Sequence, residues 1–192
     1  MENEDIRKSI IESAGKIFSR YGYKKATLDD IAFGIGKTKS YIYYYFRSKE
    51  EIFEAVVAYE AQSLRKELLE SIKEIDDPEL KLKTYLLARI SYFDKKVNYY
   101  EALRADYLSN LKFVDMMRGK YDREEFTMIR DLLEYGVDKG SFRVDNTELA
   151  AFAVLTALKS LEIPLLMNEY GDDLNTRLEY LIQVLFYGIV KR

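Results

Sequence analysis

Hydrophobic residues recur at helical spacing along almost the whole chain, in runs that end at glycine, proline or capping residues. In the first run, residues 5–21, Ile10, Ala14 and Phe18 fall on one stripe, and the run stops before Gly22. Further runs of this kind cover 48–75, 78–96, 98–111, 113–139, 148–167 and 174–190. The apolar–polar alternation of β-strands is not visible. The pattern therefore predicts an all-α chain.

Residues 27–46 break this pattern, because they predict two short helices joined by a tight turn. Thr27 can cap the first helix, and Asp30, three residues later, is placed to return the bond. Gly36 can adopt the positive φ that such a turn needs, and Thr38 is placed to cap the second helix. With the preceding helix packed on both, this stretch predicts an N-terminal three-helix helix-turn-helix domain.

The second short helix has an unusual outer face. Steps of 100° from Ile42 place four hydroxyl-bearing residues opposite the buried side: Ser40, Tyr41, Tyr43 and Tyr44. Lys39 flanks them, and no carboxylate occurs from residue 37 to residue 49. Hydroxyl and lysine side chains bind phosphates, and the leading residues of such a helix reach base edges in a DNA groove. This face therefore suits a polyanion.

The start of the next helix adds to this positive surface. Ser48 and Glu51 predict a capping box, which leaves Lys49 in the first helical turn, where its ammonium and the backbone N–H groups can bind one phosphate together. Residues 24–49 carry a formal charge of +4, whereas the rest of the chain carries −7 within a net charge of −3. A local basic footprint on an acidic body is typical of a protein that turns one face to DNA.

Residues 10–55 resemble the DNA-binding signature of the TetR family of bacterial transcriptional regulators. The matching residues, in register, are Ile10, Ile11, Ala14, Ile17, Phe18, Gly22, Tyr23, Thr27, Ile31, Ala32, Gly36, Thr38, Lys39, 42–46 and 48–50. Three positions depart from the family pattern, namely Ile35, Lys37 and Ser40. For Lys37 the sequence leaves a phosphate contact and a solvated turn residue equally open.

The resemblance implies roles for individual residues of this head. Lys39, Ser40 and Tyr41 would read bases, while Tyr45 is either a phosphate contact or half core. The complete predicted DNA-binding set is Thr27, Lys37, Thr38, Lys39, Ser40, Tyr41, Tyr43, Tyr44, Tyr45 and Lys49. The division that follows is a DNA-binding domain at 1–47 and a larger helical ligand-binding and dimerisation domain at 48–192.

The middle helices are dense in tyrosine, phenylalanine and methionine, which is also typical of an ordinary helical core. The resemblance implies that this region encloses a pocket for a small, largely apolar inducer. Candidate lining residues are Tyr85, Arg89, Phe93, Leu103, Tyr107, Tyr121, Ile129, Phe152 and Lys159.

The last two helical runs carry a wide apolar face. The resemblance implies that they pair with their copies in a four-helix interface of a homodimer. Candidate interface residues are Val154, Ala157, Leu161, Leu178, Leu181, Ile182, Leu185 and Ile189. Tight packing inside a monomer stays open as the alternative.

Composition limits the other possibilities. Cysteine and histidine are both absent, which excludes disulfides and zinc–thiolate sites and removes the commonest general base. We expect no cofactor, no metal and no enzymatic activity. The acidic start is unlike a secretory signal, and no run of about 18 apolar residues could span a bilayer. We therefore expect a cytoplasmic protein without a membrane partner.

The predicted function is a ligand-responsive DNA-binding transcriptional regulator. It would be a repressor that an inducer releases from a palindromic double-stranded operator. Two alternatives stay open. One is an all-α interaction module whose basic head binds an acidic partner, and the other is a carboxylate-based enzyme, which would need two carboxylates converging in one cleft.

Overall fold

The computed structural model of the chain describes residues 2–99, 111–166 and 174–187 and contains eight helices and no strand within these ranges. The helices are α1 (Glu2–Lys25), α2 (Leu28–Gly34), α3 (Lys39–Tyr45), α4 (Lys49–Ile72), α5 (Pro78–Tyr99), α6 (Leu111–Asp138), α7 (Thr147–Leu166) and α8 (Leu174–Tyr187). The all-α prediction is confirmed. The run predicted at 98–111 lies almost entirely outside the described residues.

The chain divides into two compact units, which we call the head unit and the body unit. The head unit comprises residues 1–66 and 95–123, and the body unit comprises residues 67–94 and 124–192. The head unit continues past residue 47 because Ile52, Phe53 and Val56 of α4 are part of its core. The functional division at residue 47 stays a prediction.

The core of the head unit joins its first four helices. Phe18 of α1, Ile31 of α2, and Ile42 and Phe46 at α3 are at most 1% exposed. Phe53 of α4 meets the Phe18 ring edge to face, with ring centroids 5.4 Å apart. The apolar stripe of α1 therefore packs on the two short helices as its spacing predicts.

Two glycines with positive φ shape the head unit. Gly22, with φ 77° and ψ 161°, interrupts α1 where the sequence predicts its end. Gly36, with φ 64°, lies in the turn between α2 and α3. Both conformations are strained for residues with a Cβ atom, so glycine is needed where the chain reverses.

The body unit has its own core. Leu82, Leu86 and Ile90 of α5 are buried, as are Ile129 of α6 and Leu158 of α7. No helix within the described ranges is long and apolar enough to cross a membrane.

Candidate nucleic-acid interface

The capping box predicted at the start of α2 is confirmed. The Thr27 hydroxyl accepts a bond from the Asp30 N–H at 3.2 Å, and the Asp30 carboxylate accepts one from the Thr27 N–H at 2.9 Å. The Thr27 hydroxyl also donates to this carboxylate, at 2.6 Å. These bonds, led by the one from the Thr27 side chain, lower the pKa of Asp30. They hold the first turn of α2 and leave Thr27 exposed.

The turn between α2 and α3 is closed by backbone bonds. The N–H groups of Gly36 and Lys37 donate to the carbonyls of Phe33 and Ala32, at 3.0 and 2.9 Å. Thr38 occupies the N-cap position of α3 as predicted, but its hydroxyl makes no capping bond. The Thr38 side chain is exposed beside the start of α3.

Helix α3 separates a buried side from an exposed side. Ile42 is fully buried, whereas Tyr43 and Tyr44 are 51% and 77% exposed. Lys39 and Ser40 are also exposed. The face that the sequence predicts for DNA therefore lies on the surface of the described chain.

Two further tyrosines connect this face to its surroundings. Tyr41 and Tyr45 are half-buried, with ring centroids 5.4 Å apart. The Tyr45 hydroxyl donates to the Asn3 side chain at 3.2 Å. Tyr45 therefore links α3 to α1, while Tyr41 remains partly accessible.

The lysines of the face make only weak contacts. The Lys39 ammonium lies 3.2 Å from the Asp29 carboxylate, and both side chains are largely in solvent. The Lys37 ammonium lies 5.2 Å from the centre of the Tyr41 ring. Exposed ion pairs of this kind contribute at most about 1 kcal/mol. A phosphate could replace either contact at small cost.

Lys49 is oriented differently from the prediction. Its ammonium donates to the backbone carbonyls of Tyr23 at 2.8 Å, Ala26 at 3.1 Å and Lys24 at 3.5 Å. It also lies 4.5 Å from the centre of the Tyr23 ring. The sequence gives no local signal for this arrangement, because these partners precede Lys49 by 23 to 26 residues.

The cap of α4 also differs in part from the prediction. The Ser48 hydroxyl accepts a bond from the Glu51 N–H at 3.2 Å, as a capping box requires. The Glu51 carboxylate, however, accepts from the N–H of Arg47 at 2.7 Å, one residue before the expected donor. The acceptor still satisfies a free N–H group at the helix start.

In the body unit, two of the predicted ligand residues lie in a buried polar cluster. Arg89, 2% exposed, bonds Glu125 through Nε at 2.8 Å and Glu162 through Nη2 at 2.5 Å. Burial alone would lower the pKa of Arg89, but its attraction to these two carboxylates outweighs this and raises it. The Tyr85 hydroxyl is buried and makes no hydrogen bond with any of the described residues, and burial raises its pKa.

The remaining ligand predictions have mixed outcomes. Ile129 is buried and Lys159 half-buried in the body unit, while Tyr121 is half-buried in the head unit. Phe152 is 64% exposed and therefore does not lie in the buried interior of the body unit. Leu103, Tyr107 and the side chain of Phe93 lie outside the described residues.

Several residues predicted for the dimer interface point inward instead. Val154, Ala157, Leu181 and Ile182 line a cavity of about 20 Å³ together with Leu86, Ile90 and Leu158. This volume is about that of one water molecule and far below a usual ligand pocket.

These four side chains pack inside the body unit, and the assignment of the eight residues to a dimer interface stays a prediction. Leu161 is half-buried, while Ile189 and the side chains of Leu178 and Leu185 lie outside the described residues.

A different face of α7 and α8 is apolar and exposed. Leu149 and Phe152 of α7 are 68% and 64% exposed, and Tyr180, Val184 and Tyr187 of α8 are exposed as well. We call these five residues the α7–α8 face. The sequence contains a signal for it, because residues 149–158 lack any charge and a helix that is apolar all round is typically buried on both sides.

Comparison with known proteins agrees with this geometry. Residues 10–56 match the model of a family described as bacterial regulatory proteins, tetR family. The uncharacterized HTH-type transcriptional regulator YhgD of Bacillus subtilis is 26% identical over 155 residues, which cover 79% of each chain. The HTH-type transcriptional repressor NicS of Pseudomonas putida is 25% identical, with 79% of this chain and 73% of the relative covered.

A solved structure adds similarity over nearly the whole chain. The putative fatty acid metabolism regulator of Clostridium perfringens has a TM-score of 0.71 and 25% identity, and the match covers 96% of this chain and 100% of that one. The exposed face of α3, the helix-turn-helix geometry and these relatives lead to one conclusion. The chain is a DNA-binding transcriptional regulator whose residues 10–56 match the DNA-binding segment of the TetR family of bacterial regulatory proteins.

Proposed function

We propose that this protein is a cytoplasmic repressor that binds a palindromic operator as a homodimer and is released by a small, largely apolar ligand. The observation that carries the proposal is the exposed face of α3, on which Tyr43 and Tyr44 stand out from a helix whose other side is buried. A helix of this kind on a compact three-helix support is the arrangement that enters a major groove.

On this face, base reading falls to Lys39, Ser40 and Tyr41, the first three residues of α3. The N-terminal residues of a recognition helix reach base edges first. Phosphate contacts fall to Thr27, Tyr43 and Tyr44, whose hydroxyls lie on exposed side chains. The Thr38 hydroxyl at the N-cap makes no capping bond, and the Lys37 ammonium lies over the Tyr41 ring on an exposed side chain, so both are further candidates for phosphate.

The homodimer places two such faces on one duplex. Two recognition helices about 34–36 Å apart would read half-sites one DNA turn apart. We assign the contact between copies to the α7–α8 face, because these exposed aromatic and aliphatic side chains lie at helical spacing on two helices that line one cavity with their other sides. Such patches on a soluble protein usually mark an interface.

The ligand would act through the body unit. Among the described residues of this unit, the Tyr85 hydroxyl, which has no hydrogen-bond partner there, and the Arg89 cluster are buried polar groups, and Leu82, Leu86 and Ile90 of α5 are apolar. Similarity to a putative fatty acid metabolism regulator supports long acyl compounds as the first ligands to test. Release would need only a coupling of about 1–3 kcal/mol between ligand and operator.

The DNA-binding part is tested by selecting duplexes from a random pool and measuring the affinity of Y43F/Y44F for the best one. The double variant keeps both rings and loses two hydroxyls, so we expect affinity to fall about tenfold on every sequence. Tyr21→Phe, an exposed tyrosine on α1, is the matched control and should bind like the parent. Unchanged binding by the double variant would refute the assignment of these hydroxyls.

The dimer is tested by Phe152→Asp, which puts a charge in the middle of the α7–α8 face. We expect a monomer in sedimentation and affinity for the palindrome at least about 100-fold lower, because the two half-sites then bind independently. Leu69→Asp changes another exposed leucine and should leave a dimer. A dimer that survives Phe152→Asp would place the interface elsewhere.

The ligand is tested by thermal unfolding of the parent with a fatty acid, its coenzyme A thioester and free coenzyme A. A ligand that binds only the folded protein raises the unfolding temperature by an amount that grows with the logarithm of the ratio of its concentration to its dissociation constant. The effective compound should also release the selected duplex. A compound that stabilises the protein without releasing the duplex would bind the protein but would not be its inducer.

A further inference from the structure

Lys49, at the start of α4, makes several hydrogen bonds to the backbone within the head unit. Its three N–H donors have three backbone carbonyls as partners, and the Tyr23 ring covers another side of the ammonium. A lysine ammonium has three donors and no acceptor. Its hydrogen-bonding capacity is therefore filled within the protein.

These carbonyls belong to one short stretch of backbone. Tyr23, Lys24 and Ala26 follow the interruption of α1 at Gly22, where helical bonding of carbonyls ends. Carbonyls at the end of a helix lack intrahelical partners, and a positive charge there is favourable. The ammonium therefore satisfies acceptors that would otherwise need water.

A second contact ties the same two segments together. The Tyr23 hydroxyl donates to the Glu50 carboxylate at 2.8 Å. Burial, followed by this bond, raises the pKa of Tyr23, while the N–H of Glu50 itself and then the Tyr23 hydroxyl lower the pKa of Glu50. Residues 49 and 50 are thus both bound to the end of α1.

The position of these contacts along the chain suggests their role. Residues 23–26 come directly before α2, and Lys49 comes directly after α3 and its cap at Phe46. One side chain therefore joins the two ends of the helix-turn-helix. Tying both ends removes freedom from the segment between them. The orientation of α3 then depends on Lys49 as well as on the core.

We propose that Lys49 is a positioning residue that pins the two ends of the helix-turn-helix and does not contact a phosphate. The inference rests on the proposed DNA binding by α3. A phosphate contact would require the ammonium to leave three part-buried or exposed carbonyls, which would then depend on water for their hydrogen bonds. Lys39 and Lys37 have no such bonds and remain the lysines that meet DNA.

The first test is the salt dependence of operator affinity for Lys49→Met, which keeps an apolar stem and removes the ammonium. If Lys49 positions α3, its replacement should lower operator affinity about tenfold or more. The slope of log affinity against log salt should stay unchanged. A lost phosphate contact would instead reduce that slope by about 0.9. A reduced slope, or parental affinity, overturns the proposal.

Matched variants show that the measurement can separate these outcomes. Lys39→Met should reduce the slope, because this lysine lies on the predicted contact face. Lys66→Met removes the same charge from α4, about 25 Å further along the helix, and should leave both affinity and slope unchanged. Circular dichroism at the assay temperature shows whether each variant is folded.

The second test uses the parent protein, so that it does not depend on the folding of any variant. Amine acetylation followed by mass spectrometry should find Lys49 protected without DNA and equally protected with it. Lys39 should react freely and become protected by the duplex, and Lys66 should react in both states. A Lys49 that reacts freely and is then protected by DNA would be a phosphate contact.

Failure of this inference can be told apart from failure of the proposed function. If the parent binds no selected duplex, DNA binding by α3 fails. If the parent binds and Lys49 behaves as Lys39 does, only the positioning role fails.

Discussion

The head unit and the body unit each contain an ion pair between helices, and the two pairs differ in every property that decides their strength. Lys39 and Asp29 meet at 3.2 Å with side chains that are 46% and 68% exposed. Arg89 meets Glu125 at 2.8 Å and Glu162 at 2.5 Å while 2% exposed. The first pair lies in water on a face that the proposal turns to DNA, and the second lies in a core.

The difference shows which charged side chain can exchange its partner for a phosphate. A solvent-exposed pair is worth at most about 1 kcal/mol, so a phosphate can take the place of Asp29. The buried pair cannot be exchanged in this way, because removing one partner leaves a charge without compensation in the interior. Arg89 therefore serves the arrangement of the body unit, whereas Lys39 is available to a partner.

The largest effect is expected at the buried ion pairs of Arg89. Arg89→Met leaves the buried Glu162 and the partly buried Glu125 without their cation, and we expect a loss of about 3–5 kcal/mol in the free energy of unfolding. Urea unfolding measures this loss. Glu162→Gln is the control, since Arg89 keeps Glu125 and the loss should be much smaller. Equal losses in both variants would mean that packing, not charge, holds the cluster.

The next largest effect is expected at Lys39, in the exposed ion pair. Lys39→Met should change the free energy of unfolding by less than about 1 kcal/mol but lower operator affinity about tenfold. Unfolding and duplex binding of the same sample measure both. A variant that loses stability and retains its affinity would reverse the roles given to the two pairs.

A smaller effect is expected at the partner of Lys39. Asp29→Asn removes a negative charge from the DNA face and frees the Lys39 ammonium, so operator affinity should rise by up to about fivefold at low salt. The gain should fade as salt is added, because screening weakens the repulsion between Asp29 and phosphate. Weaker binding would show instead that Asp29 orients Lys39.

The smallest effect concerns pH and the cap of α2. The pKa of Asp30 is lowered in the folded chain, so its contribution to stability is present above the ordinary carboxyl pKa of about 4 and is lost as pH falls through the lower folded value. Asp30→Asn should lower the unfolding temperature by at most about 3 °C at pH 7. The difference from the parent should shrink below pH 4. A difference in unfolding temperature that is constant with pH would contradict the assignment of this stability to the ionised Asp30 carboxylate.

Much of the head unit follows from short-range rules. The Thr27–Asp30 capping box and the positive φ of Gly36 depend on residues within a few positions, and helix geometry places Tyr43 and Tyr44 on the side opposite the apolar Ile42. The face of α3 was predictable for this reason. Capping, glycine conformation and 100° steps are properties of the local chain.

The structure differs from the sequence-based prediction where two segments could cover the same side chain. The sequence assigns Val154 and Ile182 to a partner copy, whereas they pack in the body unit and leave Phe152 outside. Residues 149–158 are uncharged throughout, so periodicity alone does not say which of two apolar faces turns inward. The neighbouring helix α5 decides it.

By itself, the sequence determined the helical class, the helix-turn-helix and the hydroxyl-rich face of α3, because these depend on spacing, capping and composition within single segments. Only the tertiary structure decided that Lys49 binds the end of α1, that Arg89 meets Glu125 and Glu162, and which side of α7 is exposed. The partners of Arg89 stand 36 and 73 residues away along the chain. Contacts of that kind arise when separate helices pack, and no local pattern encodes which side chains will then meet.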